Sequence, residues 1–330
     1  MKKKFKYIIP LLLLVLSSCS RGEPPTSNPI SSESLSTNEI ITTSSEDSSI
    51  SPTSSVSSDK ASSTTSKETS SSLSSSISSF KDSSINQETG VVQSGYYKGV
   101  DTDSTGATLM NKLHSIIKIT SAPSYDSLKE HFKKTDNKDG YFWDMYSNEK
   151  YPLSETIAKG NSYEGAGWNR EHSIPKSWFG EKSPMYSDIY HLYPTDCYVN
   201  NRRSNYPFGE VASASYTSKN GSKLGSSVGN GPSTVFEPID EYKGDFARTY
   251  FYFATCYMDK TINLKNGADV FTGSSSYPKL TTYSINLFLK WDKLDPVSQK
   301  EIDRNNVCYG IQKNRNPFID YPNFAQQIWG

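Results

Sequence analysis

The sequence predicts an α+β fold, a single largely helical domain behind a long N-terminal stretch that belongs to no core, and three observations predict it. Composition is the first. Only 34% of the 330 residues are apolar, against roughly 45–50% in globular chains. Serine explains the shortfall, because residues 20–84 hold 28 Ser and 8 Thr among 65 positions. Such a stretch cannot bury enough apolar surface to offset its ordering entropy, which leaves 95–330 as the block able to build a core. Periodicity is the second: several segments of that block carry apolar residues at helical spacing. The third is the stretch 140–175, rich in Gly, Asn and Tyr, which reads as loops and short strands.

Taken in order, Lys2, Lys3, Lys4 and Lys6 precede an apolar run from Tyr7 to Leu16, too short to span a bilayer and laid out as a secretory signal peptide. Leu16-Ser17-Ser18-Cys19 is similar to a bacterial lipobox, so residues 1–18 read as the signal and Cys19 as the acylated first residue; an ordinary signal peptide is the alternative. Two or more acyl chains make a stable anchor where one does not, which puts the mature chain on the outer face of a cell membrane. Residues 19–94 then read as the lipidated cysteine and a disordered tether. Its r.m.s. reach is roughly 45–50 Å at about 5–6 Å per square root of residue number. Cys197, Cys256 and Cys308 match no zinc spacing, and one disulfide plus a thiol or three buried cysteines both remain open.

In the ordered block, Ser104 or Thr105 can cap a helix carrying Leu109, Leu113, Ile116 and Ile117 on one face. Leu128 and Phe132 suggest a second short helix. Phe246, Tyr250, Phe253 and Tyr257, with small Ala247 and Ala254 between them, predict a buried helix over Gly244 to Met258, and this aromatic stripe reads as core. Leu280–Leu294 and Pro296–Gln312 predict two more helices, with Pro296 at a first-turn position where a missing N–H is harmless. Gly221–Pro232 reads as a turn-rich surface loop.

Chemistry concentrates between Gly167 and Val211, where adjacent Glu171 and His172 are followed 28 residues later by Asn200. Hydrolysis of a phosphodiester needs a base for water, a hard cation against phosphate charge and support for the leaving oxygen. A neutral imidazole suits the first task, while carboxylate and carboxamide oxygens suit Mg²⁺, which keeps several waters and needs few protein ligands. On spacing alone a structural hydrogen-bonding role reads as well. Neighbours on a regular strand face opposite sides, so Glu171 and His172 share a site only where the strand ends, and Pro175 makes an ending there reasonable. Asn200, in the polar stretch VNNRRSN, is placed on a helix crossing a strand pair.

Asn169-Arg170-Glu171-His172, Pro175, Trp178, Asp188, His191-Leu192, Pro194, Val199-Asn200 and Arg203-Ser204-Asn205 match, in order, one known pattern. It continues through Phe236-Glu237-Pro238, Gly244-Asp245, Ala247-Arg248, Trp291, Asp295-Pro296 and Arg304-Asn305 to the run from Gln312 to Pro322. On these residues the chain resembles the endonuclease I family of secreted and periplasmic bacterial nucleases, whose core is a ββα-metal (His-Me) finger. The resemblance covers most of 97–330 and implies a fold and a set of roles. His172 matches the general base, and Glu171 and Asn200 match the protein ligands of one Mg²⁺, with Mn²⁺ or Ca²⁺ as substitutes. Some relatives carry an extra arginine before the asparagine, whereas residues 173–201 here hold only Lys176 and Lys182 as cations. Arg203 is therefore the candidate phosphate contact, with Arg170 and Arg202 competing. His191, beside Leu192 and Pro194, reads as a packed structural imidazole, and Asp188 as a residue that orients the site. Arg248 and Asp245 read as a helix-end ion pair or as substrate contacts.

The function expected is a monomeric, membrane-anchored, Mg²⁺-dependent endonuclease with little sequence preference, hydrolysing DNA and RNA outside the cell and leaving 5′-phosphates. An RNA-restricted nuclease is the near alternative, and a non-catalytic surface-binding lipoprotein the alternative of another class. The 27 basic and 26 acidic residues of 91–330 exclude a polybasic nucleic-acid-binding tail, so any electropositive surface must be local.

Overall fold

The computed structural model describes residue 85, residues 89–158, residue 160 and residues 162–330; Cys19 and the Ser-rich segment lie outside the described residues. Helices arise where the apolar spacing predicts them. In α1 (Gly106–Ile117) Leu109, Met110, Leu113 and Ile117 are buried, and α2 (Leu128–Thr135) buries Leu128 and Phe132. Thr105 is the N-cap residue of α1 but makes no side-chain cap bond, and Ser104 instead bonds Asp101. Three short antiparallel strands follow, β1 (Asn137–Lys138), β2 (Tyr141–Trp143) and β3 (Lys150–Pro152). A second, two-stranded sheet pairs β4 (Trp168–His172) with β5 (Leu192–Asp196), and α3 (Cys197–Arg203) starts directly after it. The third sheet has the order β6 (Val211–Thr217), β7 (Lys223–Ser227), β8 (Thr234–Glu237).

The centre of the core is α4 (Lys243–Cys256), in which every residue is buried. A helix buried all round must be apolar or paired on every face. Its aromatic residues pack as the stripe predicts: Tyr250 lies against Phe288, with ring centroids 4.6 Å apart, and Phe253 against Tyr257 at 4.6 Å. Its charged residues are paired. Arg248 binds Glu301 and Asp292, while Lys300 binds Asp245, so Arg248 and Asp245 make separate ion pairs to other elements rather than one pair with each other. Packed around α4 are α1, α5 (Thr282–Leu294) and α7 (Pro317–Asp320); α6 (Gln299–Gln312) packs on α2 and α7, and α8 (Phe324–Trp329) on α1 and α5. The mix of helices and small sheets agrees with the α+β expectation.

Three details differ from the sequence reading. Ser298, with a capping box to Glu301, starts α6, so Pro296 stands before the helix instead of in its first turn. The segment 221–232 contains β7, the middle strand of a sheet. Gly225 is there for close approach, since a Cβ on it would meet Ser213 O of β6 at 2.0 Å; the glycine permits a strand interior that its composition disguises as a turn. Packing also begins ahead of residue 95, with Val92 1% exposed and bonded through its N–H to Val100 O at 2.8 Å. Of the two readings open for Cys197, Cys256 and Cys308, the structure has three buried cysteines and no disulfide among them.

Candidate active site

Two strands and one helix build the site. The β4–β5 ladder runs antiparallel from Trp168↔Asp196 to His172↔Leu192, and a bond from Ser173 N–H to His191 O, 3.0 Å, closes it. Asp196 ends β5 and caps α3, its Oδ1 accepting from the N–H groups of Tyr198 (2.8 Å) and Val199 (2.9 Å). These are donors that a helix start leaves unpaired, so the helix begins at the strand's end and crosses the pair. Glu171 and His172 stand at the end of β4, and both line one open cleft of about 340 Å³ together with Tyr125, Arg170, Lys176 and Asn200. The strand ending, followed by the turn at Pro175, lets two neighbours in sequence face one space.

The hydrogen bonds set what each group presents to that space. His172 Nε2 lies 2.9 Å from Tyr186 O. A carbonyl only accepts, so Nε2 carries the proton and Nδ1 of the neutral ring is an unprotonated acceptor. Burial pushes the imidazole down to about 3, helped by His191 nearby, which holds the ring neutral. Glu171, 3% exposed, accepts on Oε1 from Tyr146 Oη (2.9 Å) and from Arg203 Nη1 (2.7 Å). Burial pushes its carboxyl up to about 7 against the opposing pull of Arg203. Asn200 uses its amide nitrogen on Asn169 Oδ1 at 2.6 Å, which leaves the carboxamide oxygen as an acceptor. Among the described residues no group of three or more His, Cys, Asp or Glu is arranged to hold a metal ion. Zinc, which takes three or four such ligands, does not fit; one carboxylate and one carboxamide oxygen fit Mg²⁺, which needs few protein ligands.

Of the three arginines expected near phosphate, the structure places one, Arg170, in the lining of the cleft. Arg203 is 0% exposed; besides Glu171 it binds His172 O (2.8 Å) and Ser173 O (2.5 Å), so its guanidinium faces inward and is not a substrate contact. Arg202 is exposed, bonds Tyr198 Oη and stacks on Tyr198 and Tyr216, and it does not line the cleft. Arg170 does line it, with its guanidinium 3.9 Å from the centre of the Tyr125 ring and Nη1 on Tyr125 O at 2.8 Å. His191 is fully buried, with Nε2 on Met185 O at 2.6 Å, as a structural imidazole would be. Asp188 is also buried; it accepts from Tyr252, Tyr257 and Gln312 and touches none of the three site residues. Sequence reasoning missed Tyr125, Tyr146 and Tyr186. Tyr186 binds His172 Nε2 through its carbonyl, for which no sequence signal exists, and packs its ring against His172 with centroids 5.4 Å apart.

An α+β domain with a neutral imidazole, a carboxylate and a carboxamide in one open cleft is equipped for hydrolysis, and comparison with known proteins names the bond. The family model Endonuclease I matches residues 105–323. Over 250 residues the chain is 36% identical to a protein called extracellular ribonuclease from Bacillus amyloliquefaciens, and equally to one of the same name from Bacillus subtilis (strain 168). Each match covers 71% of this chain and 78% of the relative. Over 134 residues it is 27% identical to Endonuclease-1 of Buchnera aphidicola subsp. Acyrthosiphon pisum (strain APS), covering 40% of this chain and 44% of that one. The class so defined is a nuclease, a phosphodiester hydrolase. The chain belongs to the endonuclease I family.

Proposed function

We propose that this protein is an extracellular, Mg²⁺-dependent endonuclease whose β4–β5–α3 unit is a ββα-metal core. In this reading His172 is the general base, Glu171 and Asn200 are the metal ligands, and Arg170 is the phosphate contact. One observation carries the proposal: the bond from His172 Nε2 to Tyr186 O leaves Nδ1 as an acceptor at the cleft that Glu171 and Asn200 also line. His172 Nδ1 takes a proton from water as that water attacks phosphorus in line with the departing 3′ oxygen. Glu171 and Asn200 would hold Mg²⁺, which when bound supplies positive charge against the phosphate and the leaving oxygen. Arg170 has donors left over after its bond to Tyr125 O, and their fork matches a phosphate oxygen pair. The phosphate stays on the 5′ side of the new end.

Cys19 carries the lipid in this proposal, and the Ser/Thr-rich segment tethers the folded domain, as a monomer, to the outer face of a membrane. The relatives named extracellular ribonuclease support an exported protein. Attack by water needs no ribose 2′-OH, so DNA and RNA are both substrates. The same relatives' names favour a second reading, a nuclease restricted to RNA. Matched end-labelled DNA and RNA, incubated with Mg²⁺ or with EDTA, separate the readings. Both polymers should yield 5′-phosphate ends, and EDTA should stop both reactions. Cyclic 2′,3′-phosphates, or cleavage in EDTA, would remove the mechanism; 5′-phosphates from RNA with intact DNA would establish the second reading.

A further inference from the structure

We infer that Arg203 and Tyr146 form a two-donor lock on Glu171 Oε1 that fixes the carboxylate for a divalent cation, making Arg203 a positioning residue and not a substrate contact. The inference rests on the reading of Glu171 as a metal ligand. A glutamate side chain has three rotatable bonds, and freezing them costs free energy unless partners hold it. Here two donors converge on one oxygen, Tyr146 Oη at 2.9 Å and Arg203 Nη1 at 2.7 Å; Oε2 takes neither of them.

Arg203 does more than meet a carboxylate. The same guanidinium reaches the carbonyls of His172 (2.8 Å) and Ser173 (2.5 Å), so one side chain binds three consecutive residues where the β4 ladder runs out. A second clamp on that turn comes from Tyr250 Oη, 2.7 Å from Ser173 O. Phe208 lies under the guanidinium, 4.8 Å from its carbon, and closes it off from water. Asn200 and Arg203 are three residues apart on α3, hence neighbours on one helix face. One helical turn thus carries the Asn200 carboxamide directly and orients the Glu171 carboxylate through Arg203. The guanidinium charge also balances the carboxylate, which leaves the cleft without the excess negative charge of a tight cation cage. Partners behind metal ligands typically carry about 10–100-fold in affinity.

The test titrates the full chain with Mn²⁺ and reads free Mn²⁺ by electron paramagnetic resonance, with thermal melting as the folding control. Tyr146→Phe removes one donor and keeps the ring; Arg203→Lys keeps the charge and loses the fork. Each folded variant should bind Mn²⁺ about 10–100-fold more weakly, and the metal concentration for half-maximal cleavage should rise by the same factor. Wild-type Mn²⁺ affinity in either folded variant overturns the lock, and Tyr146→Phe decides alone if Arg203→Lys does not fold. Glu171→Gln keeps failure of the lock distinct from failure of the underlying reading. If Glu171→Gln abolishes binding while the other two bind normally, only the lock is wrong; if Glu171→Gln itself binds normally, Glu171 is no ligand.

Discussion

The ring of Tyr125 lies nearly parallel to that of His172, 16° between planes and 5.8 Å between centroids. Tyr125 also carries the Arg170 guanidinium over its ring at 3.9 Å and packs on Tyr186 at 4.7 Å. Residue 125 precedes α2 and so comes from outside the strand–strand–helix unit, yet it joins the imidazole to Arg170, which lines the cleft. Tyr186 supplies the remaining restraint through its carbonyl. The imidazole is thus held in plane by stacking and in tautomer by a hydrogen bond, two of the conditions that the general base proposed here has to meet.

His172→Ala should lower turnover by at least the ~10²–10⁴-fold associated with general acid–base catalysis. The side chain stands at a strand end, so far-ultraviolet circular dichroism should match that of the wild type. A rate within a few-fold of wild type in the folded variant would take His172 out of the mechanism.

Arg170→Ala should raise KM by about tenfold, the worth of one charge-assisted hydrogen bond, and reduce the salt dependence of binding by about one ion. Arg202→Ala should change neither, because Arg202 is committed to Tyr198 and Tyr216 away from the cleft. The discriminating measurement is the slope of log binding constant against log salt for both variants. Equal slopes would leave Arg170 without a phosphate.

What the sequence made legible follows from which signals are local. The helical spacing of Phe246, Tyr250 and Phe253 reported a buried face, and α4 is buried throughout. The adjacency of Glu171 and His172, read with the strand rule and Pro175, located the end of β4 and therefore the cleft. Arg203 was misread because its distance from Asn200 says which helical turn it occupies and not where its head goes; that depends on Phe208, Tyr250 and Glu171. Tyr125 and Tyr146 come from irregular segments, where no periodicity marks a residue as facing inward. In β7 the glycine content argued for turns, whereas close approach to Ser213 was the reason for Gly225.

Stability should fall in acid, and His191 should account for part of the slope. The imidazole is fully buried, Nε2 binds Met185 O, and Nδ1 is buried without a partner, so a second proton there finds no acceptor. Burial pushes the group down to about 3. The unfolded chain binds this proton below its ordinary value near 6.5 while the folded chain refuses it until about 3. The contribution is therefore complete above ~7 and is lost as pH falls through that window, at up to about 1.4 kcal/mol per pH unit. Glu171 and Asp295, both pushed up to about 7 by burial, act with the opposite sign, so the comparison needs a variant. Denaturant titrations of wild type and His191→Gln between pH 7 and 4 should show a shallower loss in the variant. Parallel curves would mean that His191 is protonated as easily folded as unfolded.

The last prediction concerns where the folded unit begins. The expected boundary at residue 95 would cut through packed chain. Val92 is 1% exposed and belongs to the hydrophobic core; its N–H bonds Val100 O at 2.8 Å and its carbonyl accepts from Gly99 N–H at 2.7 Å. Gly90 O accepts from both the N–H and the hydroxyl of Thr102, at 3.0 and 2.8 Å. Gly90 itself has φ +65°, and a Cβ there would meet Asp103 Oδ2 at 2.5 Å, so this turn requires glycine. The loop is tied to the far end of the chain through Tyr97 Oη, 2.6 Å from Asp320 Oδ2. A 95–330 fragment forfeits the burial of Val92, about 1.5–3 kcal/mol, and the backbone bonds of residues 90 and 92, about 1 kcal/mol each. At roughly 2–4 °C per kcal/mol for a domain of this size, it should melt about 10–25 °C below an 89–330 fragment. The 89–330 fragment should melt within a few degrees of the full chain, because it gives up only the bridge from half-exposed Ile85 to Val92 and a Ser-rich segment without apolar periodicity. Differential scanning calorimetry of the three proteins decides, and equal melting of the two fragments would show that Val92 contributes nothing to the fold.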